Sequence, residues 1–118
     1  QVEGEFDLYS GEDGQVIPLL ACGGIGVISV LSNVAPKFTH DMVTKYLEGE
    51  QAEALKMQLQ AIPLVDALFC EVNPIPVKAA MDLMGWDVGS LRAPLGRMEP
   101  HNVERLAKAM REFGIKVK

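Results

Sequence analysis

The sequence predicts an α/β fold in which two short parallel strands flank a helix and only helices follow. Two short strand-like runs, 6–10 and 27–31, are separated by a helix-compatible stretch at 15–21. A helix that crosses between two strands is the βαβ unit, which implies parallel strands. From Pro36 onward the apolar residues recur at helical spacing instead.

The two predicted strands define where a functional site would lie. The first, Phe6–Ser10, ends at Gly11, and Asp13 is predicted to cap the helix that follows, because a carboxylate accepts hydrogen bonds from free N–H groups at a helix start. The second, Val27–Leu31, is mostly apolar on both faces, as expected for a parallel strand that is buried on both sides. In parallel α/β folds, function lies at the carboxyl ends of the strands.

Three glycines within 23–26 raise the question of a phosphate-binding loop. Such a loop follows a strand and opens a helix, whereas these glycines follow a helix and precede a strand. The spacing G-G-I-G also departs from G-x-G-x-x-G, and no lysine follows it. We therefore predict that Gly23 or Gly24 ends the helix in the left-handed conformation and binds no nucleotide.

Helix start and stop signals divide the rest of the chain into further helices. Thr39 is predicted to cap the first of them, and Gly49 to end it. The next has an apolar face, and Pro63 is predicted to kink it or divide it. That face consists of Ala52, Leu55, Leu59 and Ile62. The last two predicted helices are 77–84, closed by Gly85, and 100–113, which begins with Pro100 and is closed by Gly114.

Composition excludes several classes of function. The net charge of −5 argues against a general nucleic-acid binder, and no apolar run approaches the roughly 20 residues of a membrane span. No charged-then-apolar leader opens the chain, so a cytoplasmic location is expected. Cys22 and Cys70 lack metal-site spacing and are predicted to be buried free thiols.

Two strands leave two open edges and cannot bury their faces. The sequence is therefore expected to be the end of a larger α/β fold whose other strands precede residue 1. Four motifs identify which fold this would be. In order, they are "LYSGED", "GGIGVISVLSNVAP", "FCEVNPIPVKAAM" and "LRAPLGRM". In this order and spacing they resemble the C-terminal part of the dihydrodipicolinate synthase family, and the resemblance covers nearly the whole chain.

The resemblance implies the C-terminal part of a (β/α)8 barrel. Residues 1–49 would hold strands seven and eight with their helices, and residues 50–118 a helical C-terminal extension. The family condenses pyruvate with aspartate semialdehyde through a lysine Schiff base, in lysine and diaminopimelate biosynthesis, and forms homotetramers. It would need no cofactor or metal here. Its Schiff-base lysine, proton relay and carboxylate-binding arginine would all lie before residue 1.

Two family positions match residues of this chain. Gly11 would leave room for the substrate beside the lysine, and Ile28 would contact bound pyruvate through its backbone. The structural alternatives are a turn glycine with positive φ for Gly11 and a core strand residue for Ile28.

Other chemically suggestive residues have simpler structural interpretations. Adjacent Glu12 and Asp13 are interpreted as helix caps rather than a carboxylate pair. His40 and His101 begin separate helices and have no ligand partners at metal spacing. Lys78 could form a Schiff base, but it is predicted on a helix, so Asn73–Lys78 is interpreted as a junction that docks the extension on the barrel.

Two alternatives stay open at this point. One is a non-catalytic helical module for interaction or oligomerisation. The other is a segment of a different pyruvate aldolase, such as N-acetylneuraminate lyase, which shares the barrel but is not expected to contain "NPIPVK".

Overall fold

The computed structural model describes residues 6–118, which form a two-stranded parallel sheet and five α-helices. Two single-turn 3₁₀ helices, Asp13–Gln15 and Leu31–Asn33, follow the strands. In chain order the main elements are β1 (Tyr9–Ser10), α1 (Val16–Ala21), β2 (Gly26–Val27), α2 (Pro36–Leu47), α3 (Gln51–Leu68), α4 (Ile75–Met84) and α5 (Pro100–Phe113). The predicted order, a βαβ unit followed by helices, is confirmed.

The strands are shorter than predicted. Tyr9 pairs with Gly26 and Ser10 pairs with Val27 in a parallel register. The predicted end of the second strand is wrong because Leu31 begins a 3₁₀ turn instead of extending the sheet. Its predicted burial on both faces is also not seen, since Ile28 is 72% exposed in this chain.

The glycine-rich segment joins α1 to β2, as predicted. Gly23 has a φ of 95°, which lies in the left-handed region. At a helix end, glycine adopts this conformation with the least strain. A Cβ atom on Gly24 would lie 2.9 Å from the carbonyl oxygen of Leu19, so the turn also requires a residue without a side chain there. Both glycines thus serve the turn between α1 and β2.

The starts of the later helices differ from prediction more than their ends do. Thr39 is not a cap: α2 begins at Pro36, and the Thr39 hydroxyl donates back to the carbonyl oxygen of Ala35 at 3.0 Å. Pro63 does not divide α3, which continues through it to Leu68. The predicted stops hold, because Gly49, Gly85 and Gly114 all have a positive φ just beyond a helix.

Helix α3 connects two hydrophobic clusters. Ala54 packs with residues of α1 and α2, and Leu64 and Leu68 pack with residues of α4 and α5. The first cluster consists of Val16, Ile17, Leu20, Met42 and Ala54. The second includes Leu31, Val34, Leu64, Leu68, Ile75, Val77, Leu106 and Met110. Residues that follow β2 therefore share a core with α4 and α5.

The predicted apolar face of α3 is largely open in this chain. Leu55 is 48% exposed and Leu59 is 62% exposed. The face that is buried instead is the one that carries Ala54, Gln58 and Ala61. Helical periodicity predicted the helix correctly. The face that it predicted to be buried is not the face that packs within this chain.

The cysteines are free, as predicted, but their predicted burial is wrong for Cys22, which is exposed, while Cys70 is half-buried. No helix between residues 6 and 118 combines the length and apolar character needed to cross a membrane.

Candidate functional site

The carboxyl ends of β1 and β2 lie side by side and bring Gly11 next to Ile28. The backbone N–H of Ile28 donates to the carbonyl oxygen of Ser10 at 2.8 Å, just beyond the pairing of Ser10 with Val27. Continuing that parallel register by one residue places Gly11 opposite Ile28. The two residues singled out from the sequence are therefore neighbours at the strand ends.

Gly11 leaves open space at this edge. Apart from Gly11 and its two chain neighbours, no described residue has a heavy atom within 4 Å of a Cβ atom built on Gly11. Its φ is not in the left-handed region, unlike that of Gly23 or Gly49. The alternative of a turn glycine with positive φ is therefore wrong, and neither backbone strain nor crowding within this chain accounts for a glycine here.

Ile28 is exposed at the same edge, so the described residues do not bury it as a core strand residue. Its side chain is 72% exposed, although isoleucine is among the residue types most often buried. Within residues 6–118, no hydrogen bond reaches its carbonyl oxygen. Ile28 thus presents an apolar side chain and a free backbone acceptor at the strand end.

Asp13 follows the end of β1, and its role differs from the one predicted. Its carboxylate accepts hydrogen bonds from the Ser29 hydroxyl and, at 2.9 Å each, from the backbone N–H groups of Val30 and Leu31. It therefore caps the turn after β2 rather than the helix that follows β1. Glu12 does cap its own turn, because its carboxylate accepts a hydrogen bond from Gly14 N–H at 3.1 Å. Asp13 is only 2% exposed. The two adjacent acids thus cap two different turns.

Gln58 is a contributor that sequence reasoning missed. It is 3% exposed, its side-chain amide nitrogen donates to the Asp13 carbonyl oxygen at 2.9 Å, and its oxygen accepts from Ile17 N–H at 3.0 Å. The signal that could have identified it is a glutamine on the α3 face that also carries Ala54 and Ala61, since an uncharged polar residue among small apolar ones indicates a buried hydrogen bond.

Lys78 does not lie at the strand ends. It is on α4, where its ammonium group donates to the Ser90 carbonyl oxygen at 3.0 Å. It lines a cleft of about 740 Å³ between α4 and the segment that leads to α5. The neighbouring Ile75 and Val77 share a core with Leu31 and Val34, so this part of the chain is packed on the segment after β2. That packing agrees with the interpretation of Asn73–Lys78 as a junction.

Surface ion pairs account for the shifted pKa values. A hydrogen bond from Lys37 lowers the pKa of Asp41, and one from Lys56 lowers the pKa of Glu53. A hydrogen bond to Glu50 raises the pKa of Lys45. All these groups lie on α2, on α3 or between them. Across residues 6–118, no group of three His, Cys, Asp or Glu side chains is arranged to hold a metal ion.

Known proteins resemble this chain over nearly its whole length. The profile of the dihydrodipicolinate synthetase family matches residues 1–113. The 4-hydroxy-tetrahydrodipicolinate synthase of Lachnoclostridium phytofermentans is 51% identical over 96% of this chain and 38% of its own length. That of Caldicellulosiruptor bescii is 54% identical over 97% of this chain and 39% of its own length. The chain thus spans about two-fifths of the length of these relatives.

A solved structure agrees with the sequence comparisons. The chloride-inhibited dihydrodipicolinate synthase from Acinetobacter baumannii, complexed with pyruvate, superposes with a TM-score of 0.87 at 35% identity. The match covers 93% of this chain and 38% of that one. The predicted fold class, part of a (β/α)8 barrel with further helices, is confirmed. The chain belongs to the dihydrodipicolinate synthetase family.

Proposed function

We propose that this chain supplies one wall of the pyruvate site of a 4-hydroxy-tetrahydrodipicolinate synthase. The whole enzyme would be a lyase that condenses pyruvate with aspartate semialdehyde through a lysine Schiff base. The observation that carries the proposal is the hydrogen bond from Ile28 N–H to the Ser10 carbonyl oxygen, which sets Gly11 beside Ile28 just beyond the carboxyl ends of two parallel strands. The Acinetobacter baumannii relative, which superposes on this chain, is complexed with pyruvate.

The chemistry of this edge suits a small keto acid. The open space at Gly11 would accept the substrate beside the lysine, and the exposed Ile28 would form an apolar wall with a backbone carbonyl aimed at it. The edge supplies shape and a backbone dipole rather than acid–base groups, since the carboxylates of Glu12 and Asp13 are both engaged in capping.

The Schiff-base lysine is proposed to come from outside these 118 residues. Lys78 is the alternative within the chain, but it lies on α4 and donates to the Ser90 carbonyl oxygen. A Schiff-base lysine must be unprotonated and free to attack the substrate carbonyl. Its place on α4, away from the strand ends, and its bond to Ser90 both argue against Lys78 as the nucleophile.

We also propose that the whole enzyme is a cytoplasmic homotetramer, as the resemblance implies. Leu55 and Leu59 form an exposed apolar strip on α3 that needs cover, from another part of the same polypeptide or from a second copy. This strip is the observation that favours the alternative of an interaction module. Light scattering tests the interaction module: a 118-residue chain that stays monomeric in solution would exclude it.

The proposed function is tested with a chimera in which this chain replaces the matching 39% of the Caldicellulosiruptor bescii synthase. Pyruvate and borohydride are added, and intact mass is measured, because borohydride converts a Schiff base into a stable adduct. We expect an adduct on the chimera and none on the 118-residue chain alone. A folded chimera without an adduct would contradict the proposed wall. An adduct on the chain alone would show that one of its own lysines is the nucleophile, and peptide mapping would then test whether it is Lys78.

A further inference from the structure

We propose that Asp13 is a positioning residue for the pyruvate site: it holds the backbone after β2 so that Ile28 presents its carbonyl group correctly. The inference rests on the proposed function and adds to it a buried carboxylate that touches neither substrate nor lysine. Its effect would pass through the residues that follow Ile28.

The Asp13 carboxylate binds three consecutive residues. One oxygen accepts from the Ser29 hydroxyl, and the other accepts from the N–H groups of Val30 and Leu31 at 2.9 Å each. These residues directly follow Ile28, so the three bonds fix where the peptide after Ile28 can point. A charged acceptor at 2% exposure makes stronger hydrogen bonds than a neutral one, and removing it leaves buried N–H groups without a partner.

Asp13 is itself held on the side of β1. Its carbonyl oxygen accepts from the Gln58 side chain at 2.9 Å, so α3 fixes its backbone. The Ser10 hydroxyl donates to the Glu12 carbonyl oxygen at 2.9 Å and accepts from the Glu12 N–H at 3.1 Å, which fixes the turn on both sides of Gly11. Asp13 therefore connects the end of β1 rigidly to the end of β2, and it sets the distance between Gly11 and Ile28.

The distance between Gly11 and Ile28 matters more for binding a small keto acid than for the stability of the fold. A misplacement of about 1 Å can cost about a hundredfold in rate when it moves a group that contacts the reactants. The fold, in contrast, is supported at the same place by the buried Leu31 and Val34. Loss of the Asp13 carboxylate should therefore impair the use of pyruvate more than a core substitution that destabilises the fold equally.

The test compares Asp13→Ala and Asp13→Asn in the chimera. For Asp13→Ala we expect the KM for pyruvate to rise about tenfold, with the KM for aspartate semialdehyde unchanged. Asp13→Asn should stay within about threefold of the parent, because its amide oxygen can still accept from Val30 and Leu31 while its amide nitrogen faces the Ser29 hydroxyl. If Asp13→Ala does not fold, Ser29→Ala replaces it, with an expected rise of about fivefold.

The control is Leu106→Ala, which truncates a fully buried side chain on α5 and removes none of the hydrogen bonds made by Asp13. It should lower Tm without changing the KM for pyruvate. Equal rises for Leu106→Ala and Asp13→Ala, or no rise for Asp13→Ala, would overturn the positioning role. A parent chimera that forms no pyruvate adduct would instead overturn the proposed function, so the two failures are distinguishable.

Discussion

The side-chain amide of Gln58 donates to the carbonyl oxygen of Asp13 at 2.9 Å, across 45 residues of sequence. The same amide accepts from Ile17 N–H, so one side chain on α3 binds the turn before α1 and the first turn of α1 itself. This places Gln58, from the predicted extension at 50–118, in direct contact with the predicted barrel part at 1–49. The division at residue 49 stays a prediction, and Gln58 provides a way to probe it.

Replacing Gln58 by Met should destabilise the fold. The substitution conserves side-chain length but leaves the Asp13 carbonyl and the Ile17 N–H buried without partners, at about 1–3 kcal/mol each. We expect the free energy of unfolding of the chimera, measured by urea titration, to fall by about 2–4 kcal/mol. Gln60→Met is the matched control, because Gln60 is exposed on the same helix. Equal losses for the two variants would contradict a role for these hydrogen bonds.

The ion pair between Lys37 and Asp41 on α2 should contribute to stability only above acidic pH. The hydrogen bond from Lys37 lowers the pKa of Asp41 below its usual value of 3.8. A lowered folded-state pKa stabilises the folded protein above the unfolded value, and this contribution disappears as the pH falls through the folded value. The stability difference between the parent and Lys37→Gln should therefore be measurable at neutral pH and vanish below the folded-state pKa. A difference that persists in acid would mean that Lys37 acts through packing instead.

Sequence reasoning succeeded where a short segment determines the outcome. Gly49, Gly85 and Gly114 each follow a helix with positive φ, a conformation that glycine adopts without the steric cost of a Cβ atom. Pro100 begins α5 for an equally local reason, since its fixed φ suits the first helical position and its missing N–H would have no partner there.

It failed where a second residue decides which element a capping side chain serves. Thr39 has the chemistry of a cap, but Pro36 begins the helix three residues earlier and the Thr39 hydroxyl bonds to Ala35 instead. Asp13 stands where a cap is expected, yet its partners are Val30 and Leu31, on the far side of α1. Of the candidate site, the strand ends were predictable from the βαβ order, whereas the buried bonds that connect them were not.

Gly11→Ala should separate activity from stability. A Cβ atom there meets nothing within 4 Å in this chain, and Gly11 has no positive φ, so the substitution should leave Tm within about 2 °C of the parent. In the chimera, the added methyl group would occupy the space proposed for pyruvate and lower kcat/KM by at least about tenfold. Gly96→Ala is the matched control, since Gly96 has the same open surroundings and lacks a positive φ. Full activity of Gly11→Ala would remove Gly11 from the proposed site.

Ile28→Asp should weaken the use of pyruvate, because a carboxylate at the proposed wall would repel the carboxylate of the substrate and replace an apolar surface. The exposed position of Ile28 means that the fold itself should tolerate the change. We expect the KM for pyruvate of the chimera to rise more than about tenfold for Ile28→Asp, less for the neutral Ile28→Asn, and little for Ile28→Val, which keeps the apolar wall. Steady-state kinetics with both substrates varied would reveal this order. Unchanged kinetics for Ile28→Asp would remove Ile28 from the site, and equal rises for Asp and Asn would show that apolar contact, rather than charge, governs binding at this wall.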